Sequence, residues 1–395
     1  MQKATREQTR IHNKRLILRT IYQEDEISRA DIARATGLTR TTVSHIVAEL
    51  IDEGLVEETG RGPSEGGKPP VRLSLPPQAR FIIGIDLADS EFRGGLIDTR
   101  GRFLHRAAVK VDDRNGPEAL NLVYDLIATL LEQVDGPVLG IGVGTPGLVD
   151  ARSGIVRQAV NLDWQDLPLG DLLRSRFNLP VYVGTDRHCA ALGQNTFGQN
   201  LGISNHIVVK VGRGIGAGIV LNGRLYYGDN SAAGEIGHVR AVENGDRCLC
   251  GHLGCLETVA STRSVVSRAQ EIARSSPGAA INELVGSPAE ITTGGVLQAV
   301  QSGEGEMVRL ITDAGHHLGI AIAHLVGALN IEKIIVAGSM ARFGQPLLKA
   351  INESMCPRAM EQLTAETQVE LSDLGQDIVI LGAASLILSS ELGVV

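Results

Sequence analysis

His238, Cys248, Cys250 and Cys255 fall within eighteen residues, and three thiols with one imidazole make the donor set of a closed tetrahedral zinc site. They lie in the runs Gly234-Glu235-Ile236-Gly237-His238 and Cys248-Leu249-Cys250-Gly251-His252-Leu253-Gly254-Cys255-Leu256-Glu257. Glycines 251 and 254 let the backbone turn sharply between the sulfurs. Four protein ligands leave no open position for water, so the predicted Zn2+, one per chain, is structural. Glu235 and Glu257 flank the ligands, and a metal that folds this loop also fixes those two acids. His252 is a competing imidazole, expected to stand in solvent. Cys189 and Cys356 are isolated and are expected to be ordinary buried thiols. A disulfide reading is poor, because the start Met-Gln-Lys-Ala-Thr-Arg-Glu-Gln is polar and unlike a signal peptide, and a cytoplasmic chain keeps its thiols reduced.

The elements that hold such a site must come from a long chain. At 395 residues, two or three domains are expected. A hydrophobic share of 43% with 21% charged is globular, and 47 glycines with few aromatics suit an α/β protein with tight strand–loop–helix turns. No apolar run is expected to approach a membrane span; the longest candidate, 319–329, is broken by His324. A cytoplasmic protein with no membrane partner is expected. The net charge of −8 argues against nucleic acid, but it is unevenly spread. Residues 1–80 carry 13 Lys and Arg against 11 Asp and Glu, and the remainder carries 24 against 34. A basic head on an acidic body suits a small DNA-binding module attached to a larger domain.

The head reads as a winged helix-turn-helix. Residues 12–22 place Ile17, Leu18, Ile21 and Tyr22 at helical spacing. Ser28 is an N-cap with Asp31 three residues on, and Gly37 ends that helix. Thr39 caps a further helix whose inward face is Val43, Ile46, Val47 and Leu50. Its outward polar residues, Arg40, Thr41, Thr42, Ser44 and His45, are those a recognition helix turns to base edges. Alternation over 55–58 and 71–75 predicts a hairpin with a basic tip, Arg61 and Lys68, able to reach phosphates or a minor groove. A plain helical domain with a polar surface is the bland alternative.

From Phe81 onward strand and helix signals alternate. Strands are expected at 81–87, 94–98, 138–144, 181–184, 207–211, 219–221 and 334–337, with helices at 117–134, from Asp186, and at 307–329. A glycine turn closes most strands, and bare backbone N–H groups there favour phosphates and sugars.

These pieces together resemble the ROK family (repressors, open reading frames and sugar kinases), and in particular its winged-helix regulators. The matching runs are Ser28-Arg29-Ala30-Asp31-Ile32-Ala33, Gly37-Leu38-Thr39 and Gly66-Gly67-Lys68-Pro69-Pro70 in the head. In the body they are Gly144-Thr145-Pro146-Gly147, Gly214-Ile215-Gly216-Ala217-Gly218, Gly234 to His238, and the cysteine loop with Glu257. The resemblance covers nearly the whole chain. It implies a winged helix-turn-helix over 1–78 and, over 79–395, an actin-like (ribonuclease H-like) two-lobed sugar-kinase fold with a zinc loop at 238–255. It also implies a homodimer or homotetramer. The family's sugar contacts fall on Asn161, Asp186, Glu235, His238 and Glu257, where carboxylates would accept from sugar hydroxyls in charge-assisted bonds.

Asp186 matches the general base of the family's kinases, and here that position is read as vestigial. Kinases of the family begin with Asp-x-Gly-Gly-Thr; this chain has Asp86-Leu87-Ala88-Asp89-Ser90. A Gly-Thr-Gly phosphate loop has become Gly212-Arg213-Gly214, a Gly-Gly pair Gly338-Ser339, and an Asn-Asp pair Thr185-Asp186. Loss on the nucleotide side with the sugar acids kept predicts a sugar-responsive transcriptional regulator, most often a repressor in this family, acting on double-stranded operator DNA. The alternative is an ATP-dependent sugar kinase with a DNA-binding head. Xylose, glucose and N-acetylated hexosamines all occur as ligands in the family.

Overall fold

The head folds as its local signals dictate. Helix Arg6–Gln23 starts at a capping box in which Thr5 and Gln8 exchange hydrogen bonds, six residues before the expected start. Ser28 caps Arg29–Thr36 by accepting from the Asp31 N–H, and Gly37, at φ 70°, ends that helix in the left-handed region. Thr39 caps the recognition-type helix Arg40–Asp52 by accepting from the Thr42 N–H. Strands Glu57–Arg61 and Val71–Ser74 form the antiparallel wing, with Ile27–Ser28 as a third strand beside Val71–Ser74. Ile17, Ile21, Ile32, Val43, Val47 and Leu50 are fully buried between the helices. Each such side chain contributes roughly 1.5–3 kcal/mol.

The structure, a computed structural model, describes residues 5–62, 69–87, 90–112, 114–199, 202–276, 281–284 and 286–395. Lys68 at the wing tip and Ala88 and Asp89 after the first body strand lie outside the described residues.

Among the described residues, the body carries two five-stranded mixed sheets, in keeping with the expected α/β class. The first runs in the order Phe103–Lys110, Glu91–Asp98, Phe81–Asp86, Val138–Thr145, Val181–Thr185. The second runs Arg224–Tyr226, Ile215–Leu221, His206–Val211, Lys333–Ala337, Gln368–Leu371. Both follow one plan, an antiparallel meander of three strands extended by two parallel ones. A small sheet of Leu148–Asp150, Ile155–Ala159 and Trp164–Leu167 rises from the first. The strand at 103–110 and this small sheet were not among the expected elements.

Two helices stack between the sheets. Asp186–Phe197 lies against Ile378–Ile387, and the latter packs on the first sheet. Their backbones touch: a Cβ on Gly382 would stand 1.6 Å from the Cys189 carbonyl oxygen, and one on Gly193 would stand 2.3 Å from that of Ile378. Only glycine permits this approach. The last helix and its tail also join the head. Ile380, Leu381, Ile387, Leu388, Leu392 and Val394 share one hydrophobic cluster with Ile17, Ile32 and Leu50.

Two expectations need correction. Residues Gly375–Leu392 are long and apolar enough by length and composition to cross a membrane. Their apolarity has another cause, since 61% of that stretch is buried between the first sheet, the neighbouring helix and the head. Cys189 is buried as expected, but Cys356 is exposed, because it follows helix Gln345–Met355 at a surface turn.

Candidate functional site

The cysteine loop gathers its donors. The ligand atoms of His238, Cys248, Cys250 and Cys255 all lie within 4.8 Å of one another. Cys250 Sγ stands 3.6 Å from Cys255 Sγ, and Cys248 Sγ 3.6 Å from His238 Nδ1. A tetrahedron with metal–sulfur bonds of about 2.3 Å has edges of about 3.8 Å, so the spacing fits a four-coordinate ion. The backbone sets it: Gly251 and Gly254 adopt positive φ, and the Gly251 N–H donates to the Cys248 carbonyl at 2.9 Å. The Leu256 N–H donates to the Val239 carbonyl, tying the two arms together. Burial and the neighbouring thiols push Cys255 up to about 12. A bound divalent cation reverses that, since it favours thiolates. These residues can hold a metal. His252 is exposed, with Nδ1 3.5 Å from Cys250 Sγ, outside that four-atom set.

The loop forms one wall of a cavity of about 340 Å³, a size suited to a small ligand. Asn161, Asp186, Glu235, His238 and Glu257 all line it. Glu235 and His238 share one element, the single-turn helix Ile236–His238 that Glu235 precedes, and the other three come from separate elements. Asn161 sits in the short turn Val160–Leu162 between the second and third strands of the small sheet and accepts from Arg263 Nη2 at 3.1 Å. Glu257 opens the short helix Glu257–Ala260 and accepts from the Ile215 N–H at 3.1 Å. His238 keeps Nδ1 toward Cys248, and its Nε2 stands 3.9 Å from Glu235 Oε2. Asp186 begins a helix capped by Thr185, where the helix dipole favours a carboxylate.

Two buried cations also enter this cavity. Lys210 Nζ stands 2.7 Å from Asp186 Oδ2, and Arg187 Nη2 stands 2.7 Å from Glu235 Oε1. Arg187 is 3% exposed and also donates from Nε to the Ala233 carbonyl at 3.2 Å. Burial pushes the Asp186 carboxyl up, but Lys210 and Arg187 outweigh it and hold the group below the usual carboxylate value. Glu235 goes the other way: burial raises it, and Asp186 and Glu257 add to that against the pull of Arg187. Two carboxylates in one cavity thus have pKa values pushed apart. Neither Arg187 nor Lys210 was singled out from the sequence. The available signal was a single charge within the apolar strand His206–Val211.

A second cavity of about 280 Å³ opens on the other side of Lys210. Asp86, Gly212, Gly338 and Ser339 line it, together with Arg93 and Arg342. Arg93 Nη2 stands 2.7 Å from Asp86 Oδ2. Arg213 lines neither cavity; it stands close enough to Arg263 to lower that guanidinium, after burial. Thr185 is buried beneath the helix it caps, so its exchange for asparagine bears on the cap rather than on the cavity lining.

At the head, Arg40, Thr41, Ser44 and His45 are exposed along one helix, and Arg61 is exposed at the end of a wing strand. Thr42 differs: it is half-buried, and its hydroxyl lies 2.9 Å from the Thr39 hydroxyl inside the cap. His45 Nε2 stands 3.3 Å from Glu49 Oε1.

Comparison with known proteins is consistent with this layout. The model of the ROK family matches residues 82–390, and that of winged helix-turn-helix DNA-binding domains matches residues 12–57. A xylose repressor from Caldicellulosiruptor bescii is 34% identical over 391 residues, covering 96% of each chain. The crystal structure of a ROK family transcriptional regulator, a homologue of the Escherichia coli MLC protein, superposes with a TM-score of 0.83 at 26% identity over 98% of each chain. A ROK family glucokinase from Streptomyces griseus, solved with glucose and AMPPNP, covers 78% of this chain and 98% of its own, with a TM-score of 0.73 at 30% identity.

Proposed function

From the premise that the chain belongs to the ROK family, we propose that it is a sugar-responsive DNA-binding transcriptional repressor of carbohydrate uptake or catabolism genes. It acts in the cytoplasm as a homodimer or homotetramer, with Arg40, Thr41, Ser44 and His45 toward base edges and Arg61 and Lys68 on the backbone. A dimer sets two recognition helices in successive major grooves of a near-palindromic operator. A sugar in the larger cavity is held by Asn161, Asp186, Glu235, His238 and Glu257. Zinc on His238, Cys248, Cys250 and Cys255 supplies folding energy to the loop that Glu235 and Glu257 flank.

One observation carries the reading. A winged head shares its hydrophobic core with the last helix, and that helix lies backbone to backbone on the one that begins at Asp186. Sugar contacts at Asp186 can therefore bias head geometry through packed elements. By linkage the sugar changes DNA affinity only as far as its own affinity differs between the two arrangements.

The chain is read as a regulator and not an enzyme. Lys210 holds Asp186 as an ion pair, and Arg93 holds Asp86, so both carboxylates meet a cation of the chain itself. A kinase reading has one observation in its favour, the carboxylate of Asp186 at the cavity floor. Gel-shift titration on the DNA upstream of the gene, with xylose, glucose and N-acetylglucosamine and with a zinc chelator, tests the first reading. The bound band is expected to weaken with one sugar, and a band indifferent to every sugar defeats the sensing claim. No sugar-dependent ADP release is expected at millimolar ATP.

A further inference from the structure

His45 and Glu49 lie one turn apart on the recognition-type helix Arg40–Asp52, and their contact decides which ring nitrogen carries the proton. His45 Nε2 stands 3.3 Å from Glu49 Oε1. A carboxylate offers only acceptors, so Nε2 is the N–H nitrogen. In a neutral ring the other nitrogen, Nδ1, is then a bare acceptor. No hydrogen bond reaches Nδ1 among the described residues, and the side chain is 76% exposed. Thr41, Ser44 and Ala48, its neighbours on that face, are short and exposed too, so the ring stands clear of the helix.

An exposed pair four residues apart holds a ring only weakly. This one is anchored from behind. The Glu49 side chain is only 23% exposed, and Arg10 Nη2, on the first helix, stands 3.6 Å from its Oε2. That oxygen is buried and has no hydrogen-bond partner among the described residues. The carboxylate is confined between two helices, and Oε1 is the oxygen left for the imidazole. The major groove supplies the matching chemistry. Adenine N6 and cytosine N4 present amino donors there, whereas guanine O6 and thymine O4 are acceptors. Guanine in place of adenine, or thymine in place of cytosine, puts a carbonyl oxygen where the amino group stood.

We infer that His45 determines specificity at one position of the operator half-site, where its Nδ1 accepts from the amino group of an adenine or a cytosine and Glu49 sets the tautomer. This rests on the reading of Arg40–Asp52 as the helix that meets base edges. His45 touches the base. Glu49 is a positioning residue, in contact with His45 and Arg10, and acts through the ring. The pairing rejects a transition at that position, because two acceptors then face each other and neither finds a proton.

The test is fluorescence anisotropy with the full zinc-loaded chain at pH 8, where an imidazole is neutral. The probes are duplexes carrying every single base-pair change across the half-site that footprinting of the upstream DNA defines. One transition, adenine to guanine or cytosine to thymine, is expected to weaken binding at least ~5-fold, the worth of one neutral hydrogen bond, and to cost His45→Ala nothing. At an adenine, purine, which lacks the amino group, should bind as poorly as guanine, and 7-deaza-adenine, which keeps it, as well as adenine. At a cytosine, an analogue without the 4-amino group should bind as poorly as thymine. Glu49→Gln places an amide that donates or accepts beside the ring, and is expected to bind both bases of the transition within twofold while every other position keeps its preference. A purely structural loss weakens all duplexes alike. Where Glu49→Gln melts below the assay temperature, the exposed His45→Ala carries the test with the base analogues. A preference governed by His45 for guanine or thymine makes the ring a donor and overturns the inference. So does 7-deaza-adenine that binds as poorly as purine, or a folded Glu49→Gln chain with the preference intact. If the chain discriminates among duplexes but His45→Ala alters no position, this inference falls and the DNA-binding reading stands. Equal binding of all duplexes sinks both.

Discussion

The Arg15 guanidinium donates to the Ser390 carbonyl at 2.8 Å, so a helix of the head is bonded to the last turns of the chain 375 residues away. The Arg15 stem also lies across Gly393, where a Cβ would meet it at 3.0 Å. Beside them Tyr182, at the edge of the first sheet, donates to Glu391 Oε1 at 2.7 Å. Head, sheet and terminal helix meet at one seam. Arg15→Ala is expected to leave sugar affinity unchanged and to shrink the sugar-dependent change in DNA affinity roughly fivefold, the worth of one hydrogen bond near 1 kcal/mol. Parallel calorimetry and gel-shift titration check this. An undiminished sugar response in the variant removes the seam from the coupling route.

The metal prediction follows from donor chemistry. Purified under reducing conditions, the chain should carry about one zinc, by atomic absorption. Cys255→Ser should lower that content to near zero and lower the melting temperature. The loss should extend to sugar binding, because Glu235 and Glu257 stand on the two arms that Cys255 and His238 join. A Cys255→Ser chain that keeps both its zinc and its sugar affinity removes the loop from the site.

What the sequence revealed was what neighbours in the chain decide. Ser28, Gly37 and Thr39 cap their helices through bonds that reach three or four residues, so their types alone announced the turn. The cysteine loop was legible for the same reason. The ion pairs Asp186–Lys210 and Arg187–Glu235 were not, because they join residues 24 and 48 apart that meet only when both sheets and the loop 228–238 are in place. The strand Phe103–Lys110 was hidden by its position at a sheet edge, where polar residues interrupt the apolar pattern. The helix Ile378–Ile387 carries hardly any periodicity, because it is enclosed on nearly every side.

His188 makes stability depend on pH. It is 2% exposed, its Nε2 has no partner among the described residues, and its ring meets Tyr227 edge-on at 5.1 Å. Burial, and then the charge of Arg187, lower its pKa from 6.5 to about 4. Below pH 6.5 the unfolded chain takes up a proton that the folded chain refuses. Stability is therefore full above that value and falls as pH drops toward 4. Between pH 7 and pH 5 the loss is on the order of 2 kcal/mol. Urea unfolding of the chain and of His188→Asn at both pH values isolates this contribution, since other titrating groups are common to both. A wild-type slope no steeper than the variant's refutes it.

Arg40 and Thr42 sit two residues apart on the recognition-type helix and should fail differently. Arg40 is exposed at the first helical position, free to meet a phosphate or a base edge. Thr42 keeps its hydroxyl inside the cap with Thr39. Arg40→Ala should leave the melting temperature unchanged and weaken operator binding. If it meets a phosphate, the slope of log affinity against log salt becomes shallower by about 1, and all sequences weaken alike; if it meets a base, specificity relaxes at one position at a cost of about 1–3 kcal/mol. Thr42→Ala should instead lower stability by about 0.5–1 kcal/mol through the loosened cap and alter DNA affinity little. Fluorescence anisotropy at several salt concentrations, beside thermal unfolding, separates the two. Equal effects of both substitutions on DNA affinity and on melting would show that this helix face does not read DNA in the assigned way.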